Sequence, residues 1–304
     1  SFQDVLEEFS FLPGFGSRET RAHSESPVTE PRGVDLTLTQ NEAKLLALID
    51  KQDSSLDDLV ADTGLTAAEV LTAIIEPRVG LVLHAVLLIA LFFHTALTWH
   101  HPIHRLMLSL ALGPLIRLLS LSLPLVDFPL VYWYLIVSVP LFAATFAVVH
   151  ALDLAGDEIG FALRRPLLQM GVAVTGVGLG AMEYAILRPT PLAGGLTWEE
   201  LWLPAVILMV CTGFSEELMF RGVMQRVAGE VLGRWGAILY VSALFAVLHI
   251  GYKSILDVVF VFAVALGFGW AKERSNSLLG VSLAHGLTNV VLFLVAPFWF
   301  GVGG

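Results

Sequence analysis

From Val79 onward the chain is a succession of apolar runs separated by short polar breaks. About 20 apolar residues suffice for a helix to cross a ~30 Å hydrocarbon core, and no soluble core of this size absorbs a series of such runs. Eight runs fit, near 79–99, 105–125, 128–151, 167–187, 200–228, 235–252, 255–271 and 277–299. The composition agrees: 56% of the 304 residues are hydrophobic and the mean hydropathy is +0.77. The expected fold is all-α, a multi-pass protein of the cell membrane with about eight transmembrane helices. The least regular runs are the second, which holds Gly113, Pro114 and Arg117, and the seventh, which is only about 17 residues long. Seven Lys and Arg residues follow the odd-numbered runs and three, Arg78, Arg188 and Lys253, lie on the opposite side, which places the odd loops in the cytoplasm and both termini outside.

The first 78 residues differ, with 15 acidic and 6 basic side chains against 12 and 11 in the remainder. Residues 1–38 are broken by Pro13, Gly14, Gly16, Pro27, Pro31 and Gly33 and are expected to form a flexible arm. Their start has no basic-plus-apolar segment, so no signal peptide is expected. Over residues 39–76 apolar positions recur at helical spacing, and Asp57 to Ile75 resembles the core of a winged-helix domain. The helix in the recognition position, Thr66 to Ile75, contains Glu69 and no Lys or Arg, so nothing in it grips phosphate. No nucleic-acid partner is expected; a small helical module that binds a protein partner is. The one cysteine, Cys211, excludes an intrachain disulfide and any multi-cysteine metal site.

The informative residues are polar ones where a bilayer should be. Glu216, Glu217 and Arg221 lie inside the fifth run, and together they oppose insertion by about 8–10 kcal/mol if each costs ~3 kcal/mol. Either the helix ends at Ser215 and the charges are interfacial, or they pair and serve a function. Glu217 and Arg221 are four residues apart with the acid first, the favourable order for an intrahelical ion pair. Glu216 points about 100° away and needs a partner from another helix. The sixth run holds His249, four residues after Phe245, and the eighth holds His285 and Asn289, stacked on one face. One such histidine is ordinary interhelical glue. On three successive helices, these groups can instead be collected into one buried pocket, with His249 the least well centred.

A carboxylate beside an imidazole can take a proton from water, and a second histidine with a carboxamide can stabilise the oxyanion formed when water adds to a peptide carbonyl. Those are the parts of a hydrolase. No serine or cysteine stands at nucleophile spacing to a histidine, and H-E-x-x-H is absent.

The ordered motifs E-E-x-x-x-R (Glu216, Glu217, Arg221), F-x-x-x-H (Phe245, His249) and H-x-x-x-N (His285, Asn289) resemble the CPBP family, the CAAX protease and bacteriocin-processing (Abi) intramembrane endopeptidases. The resemblance covers roughly residues 155–299, with GFALRRP before the fourth run as the family's usual opening. It implies a CAAX-prenyl-endopeptidase-like intramembrane protease in which Glu216 and His249 activate water and His285 with Asn289 binds the oxyanion. Glu217 and Arg221 would hold the site in shape. The implied substrate is a peptide or membrane protein in the lipid bilayer; prenylation is not carried over.

Metal dependence divides two readings. Glu216, His249 and His285 are candidate ligands for a divalent metal such as zinc, with water in the fourth position. The preferred reading requires no cofactor, since asparagine is a good oxyanion donor and an uncommon zinc ligand. His100, His101 and His104 are read as interfacial, Gly176 and Gly180 as a close-packing G-x-x-x-G, and Trp133, Trp198, Trp202 and Trp299 as interfacial anchors. Glu183 and Asp257 are single acids in apolar runs, given the bland reading with a role in the pocket as the alternative for each. Two rivals share these features: a non-proteolytic membrane scaffold or bacteriocin-immunity protein of the same fold, and a transporter, which the lack of a repeat between the halves disfavours.

Overall fold

The computed structural model describes residues 67–101, 103–123, 128–252 and 254–301. The arm expected at 1–38 and most of the module expected at 39–76 lie outside the described residues. Every described element is helical. Helix α1, Ala67–Leu97, runs without interruption from the end of the module segment through the first apolar run. Helices α2, Ile103–Leu110, and α3, Leu112–Ser122, together make the second span and meet at Ala111, where Pro114 stands in the first turn of α3. Helices α4, Leu130–Ala151, and α5, Pro166–Leu187, follow.

The next stretch is a series of changes in helical pitch. Helix α6, Trp198–Ile207, passes into π-helical turns Leu208–Phe214, a short α7, Ser215–Glu217, and further π-helical turns Leu218–Met224. Helix α8, Gln225–Val247, ends in a 3₁₀ turn Leu248–Tyr252. Helix α9 is Ile255–Ser275, long enough to span, and α10, Leu279–Val290, continues through π-helical turns Val291–Val295 into α11, Ala296–Phe300. Single π turns within α-helices are uncommon and gather at functional sites; here two of them flank the paired glutamates.

Seven of these stretches are long and apolar enough to cross a membrane, the longest being the 55 residues Trp198–Tyr252. At ~1.5 Å per residue a straight helix of that length would reach ~80 Å, far beyond a bilayer. It bends back at Gly233, whose φ of 69° and ψ of 169° are not helical. The two arms pack together: the rings of Phe220 and Phe245 meet edge-on at 4.9 Å. The seven stretches therefore accommodate the eight crossings expected, the fifth and sixth being arms of one element.

An independent feature requires the same count. A Cβ added to Gly176 would fall 2.1 Å from the Ala284 carbonyl oxygen, and one added to Gly180 would fall 2.5 Å from that of Thr288. Gln169 likewise abuts Gly280, whose N–H donates to the Gln169 side-chain oxygen. The contacts advance in the same direction on both chains, so α5 and α10 run parallel. Parallel helices at the fourth and last positions need an even number of steps between them, which the doubled stretch supplies. The expected G-x-x-x-G contact is thus present, and its partner is the helix that carries His285 and Asn289.

On its other side α10 is clamped by the turns Leu208–Phe214. A Cβ on Gly213 would fall 2.5 Å from the Gly286 nitrogen, and one on Gly286 would meet Met209. In lipid there is little hydrophobic drive between helices, so close approach through small residues supplies the association.

Candidate active site

Glu217 and Arg221 form the expected ion pair, with Nη1 donating to Oε1 at 2.9 Å and both side chains almost completely buried. The guanidinium carbon also lies 4.4 Å from the centre of the Phe245 ring, a cation–π contact on its apolar side. Phe245 therefore has a structural reason for its place in the F-x-x-x-H motif. Its ring touches Arg221, packs at 4.7 Å on His249 and meets His285 edge-on at 5.8 Å.

The same Oε1 of Glu217 accepts a second hydrogen bond, from His285 Nδ1 at 2.9 Å. That bond spans 68 positions of sequence and was not foreseen; Glu217 was expected only to pair with Arg221. Because the partner is a carboxylate, Nδ1 carries the proton and the ring is held with Nε2 pointing away from Glu217. On that side Nε2 lies 3.8 Å from Glu216 Oε2. Glu216, for which the helix geometry provided no partner, thus finds His285 across the bundle. No direct hydrogen bond or ion pair joins Glu216 to His249.

His249 sits beyond the end of α8 in the 3₁₀ turn, where its Nδ1 donates to the Phe245 carbonyl at 2.9 Å and leaves Nε2 free of the backbone. The turn is pinned from outside. Arg117, an apparent blemish in the second run, donates to the Leu248 carbonyl immediately before His249. Asn289 donates from Nδ2 to the Thr212 hydroxyl at 2.8 Å, and that hydroxyl donates in turn to the Leu208 carbonyl. With its own hydrogen committed, Thr212 can only accept from Asn289, so the amide end of the carboxamide is the one held there. Neither Arg117 nor Thr212 was identified in advance; their partners are separated from them by 131 and 77 positions.

Arg221, His249, His285 and Asn289 border one small cavity, together with Glu183 and an apolar wall that includes Phe245, Phe260, Val261 and Phe268. Glu217 lies behind His285, and Glu216 lies beside it. The cavity collects side chains from α5, the doubled stretch, α9 and α10. Asp257 is buried at the first turn of α9, and neither of its carboxylate oxygens has a hydrogen-bond partner among the described residues.

The proposed ligands do not form a metal-binding group. No three His, Cys, Asp or Glu side chains among the described residues come together in that way, Glu216, His249 and His285 included. The donor set as arranged does not fit a zinc centre, and no step below passes through an ion. His101 and His104 serve their own turn, with His104 Nδ1 at 2.9 Å from the His101 carbonyl.

The helical arrangement and the cavity define a polytopic membrane protein with a buried site of carboxylates, imidazoles and a carboxamide. Residues 198–291 match the family model of the Rce1-like proteins, described as type II CAAX prenyl endopeptidase Rce1-like. All three motifs fall within those residues, in agreement with the CPBP resemblance they carry. Residues 29–76 match the DprA winged helix domain, in agreement with the winged-helix resemblance noted there. No curated protein and no solved structure matches the chain.

Proposed function

We propose that the protein is an intramembrane endopeptidase that hydrolyses a peptide bond of a membrane-associated protein or peptide. The observation that carries this reading is His285, which is held by Glu217, lies 3.8 Å from Glu216 and borders with His249 and Asn289 the same cavity. Glu216 is the base for water, and His249 Nε2, freed by the bond from Nδ1 to Phe245, accepts the second hydrogen of the same molecule. Glu216, Glu217 and Arg221 sum to one negative charge, which a proton on His285 Nε2 balances. That proton and the Asn289 amide then face the oxyanion as water adds to the carbonyl. Glu217 and Arg221 hold His285 in place, and Thr212 and Arg117 do the same for Asn289 and the His249 turn. The bilayer and a peptide or membrane-protein substrate are the partners, and the site requires no metal.

Comparison of the membrane peptidome of cells carrying the wild-type protein with that of cells carrying Glu216→Ala tests this reading. The variant should insert normally and lose at least ~10²-fold in cleavage. A scaffold or immunity protein of this fold would instead show no wild-type cleavage and would keep its cellular effect in the variant. Activity of the purified protein should survive strong chelator; stoichiometric zinc with chelator-sensitive cleavage would overturn the metal-free arrangement.

A further inference from the structure

We propose that Glu183 is a fifth catalytic side chain of this site, the acid that protonates the departing amine as the scissile C–N bond breaks. The inference rests on the hydrolase reading above and assigns a residue outside the three motifs and outside the matched segment 198–291. Its basis is position. Gly176 and Gly180 bring α5 against α10, and Glu183 follows on the same face three residues after Gly180, which carries its side chain to the cavity bordered by His249, His285 and Asn289. The residue is 7% exposed, yet its carboxyl makes no hydrogen bond or ion pair with any described residue.

An unpartnered carboxyl among Phe245, Phe260, Val261 and Phe268 carries the full desolvation cost when ionised. Of the charged neighbours, His285 offsets part of that cost. Arg221 is engaged by Glu217, and His285 is held between Glu217 and Glu216. Asp257 and Glu216 add like charge from α9 and α7, and Tyr252 from the 3₁₀ turn is a neutral phenol within electrostatic reach. Glu183 faces the cavity from a helix that supplies none of the other catalytic groups.

The chemistry has a vacant role for such a group. An amide nitrogen does not leave as an anion, and His285 and Asn289 are directed at the carbonyl oxygen. In the first step Glu216 takes one proton from water as the C–O bond forms. In the second the tetrahedral intermediate collapses, the C–N bond breaks, and the nitrogen receives the Glu183 proton with the electron pair of that bond. The proton held by Glu216 then returns to Glu183 through solvent in the cavity. The net change is one water consumed, one carboxylic acid and one amine formed, and both glutamates restored.

Leaving-group dependence separates this role from a structural one. The probes are a quenched fluorescent peptide that the purified wild-type protein cleaves, selected from a mixed-sequence set, and the same peptide with an ester at the scissile bond. Glu183→Gln should slow amide cleavage about 10²-fold or more while leaving ester cleavage within a few-fold, because an alkoxide departs without an acid. Equal loss on both probes, or no loss on either, overturns the proposal. Glu216→Gln should lose both reactions; its retention of both would overturn Glu216 as the base for water, whereas a wild-type protein that cleaves no peptide of the set would sink the hydrolase reading itself. A second measurement needs no substrate: the infrared carbonyl band of a protonated carboxyl should be present in the wild type near neutral pH and weaker in Glu183→Gln. Identical spectra would overturn the assignment.

Discussion

The spans Val79–Leu97 and Leu279–Phe300 are both long and apolar enough to cross a membrane, and the first is the more apolar of the two. Yet 6% of the first span, Val79–Leu97, is buried in the protein, against 61% of the last, Leu279–Phe300. The difference lies in the size and polarity of the side chains. The outward positions of α1 include Leu83, Ile89 and Phe93, large groups that lipid solvates as well as protein does. Helix α10 presents Gly280, Ala284 and Thr288 to α5 and Gly286 to the Leu208–Phe214 turns, and it adds His285 and Asn289 towards the cavity. In a bilayer the centre of the bundle goes to the helix that neighbours can approach most closely and that has polar groups to satisfy.

The largest effect should come from removing the charge that holds α10 to the doubled stretch. Glu217→Gln leaves Arg221 buried without its anion and frees His285 Nδ1, and the expected loss is about 3–5 kcal/mol of stability. A thermal melt in detergent reads it. An unchanged midpoint would show that the ion pair contributes little. Next is the close contact of α5 with α10. Gly176→Val should cost roughly 1–3 kcal/mol or more, because the nearest atom is backbone and cannot swing aside. The matching change on the other helix, Phe93→Ala at a position 67% exposed, should stay within about 0.5 kcal/mol. Similar melts for the two variants would abolish the contrast.

The smallest effect belongs to the ion pairs at the ends of the helices. Arg226 bridges Glu158 and Glu230, and Arg105 joins Glu230, with all four side chains about a third exposed. The N–H of Ala155 and the Arg226 guanidinium hold the Glu158 carboxyl below the ordinary glutamate range. A depressed carboxyl stabilises the fold above its unfolded pKa, and that contribution is lost as pH falls through the lower folded value. At this exposure it amounts to less than about 1 kcal/mol and weakens with salt. Glu158→Gln should therefore flatten a small acid-side slope in the melt and leave the neutral midpoint almost unchanged; an equal slope in both proteins would count against the contribution.

What could be read from the sequence was local. The eight apolar runs, the Glu217–Arg221 spacing, the small-residue stripe at Gly176 and Gly180 and the shared face of His285 and Asn289 all depend on residues three to twenty positions apart. The site itself depends on longer separations. Neither the Glu217–His285 bond nor the grip of Arg117 on the His249 turn is encoded in a period. His249 was the least well-centred residue on an ideal helix, and the 3₁₀ turn that carries it explains why. The π-helical turns around Glu216 and Glu217 likewise alter the facing angles that a regular helix would impose.

The position of α10 in the chain has a consequence in time. It enters the membrane after the other described spans, yet the cavity closes around it. Until residues 279–300 enter the membrane, Glu217 has no histidine, Thr212 has no carboxamide and the face of α5 has no partner. The growing chain can thus place seven crossings in the bilayer with Glu216 and His249 already present and still have no complete site. The site is completed in one step, when residues 279–300 enter the membrane.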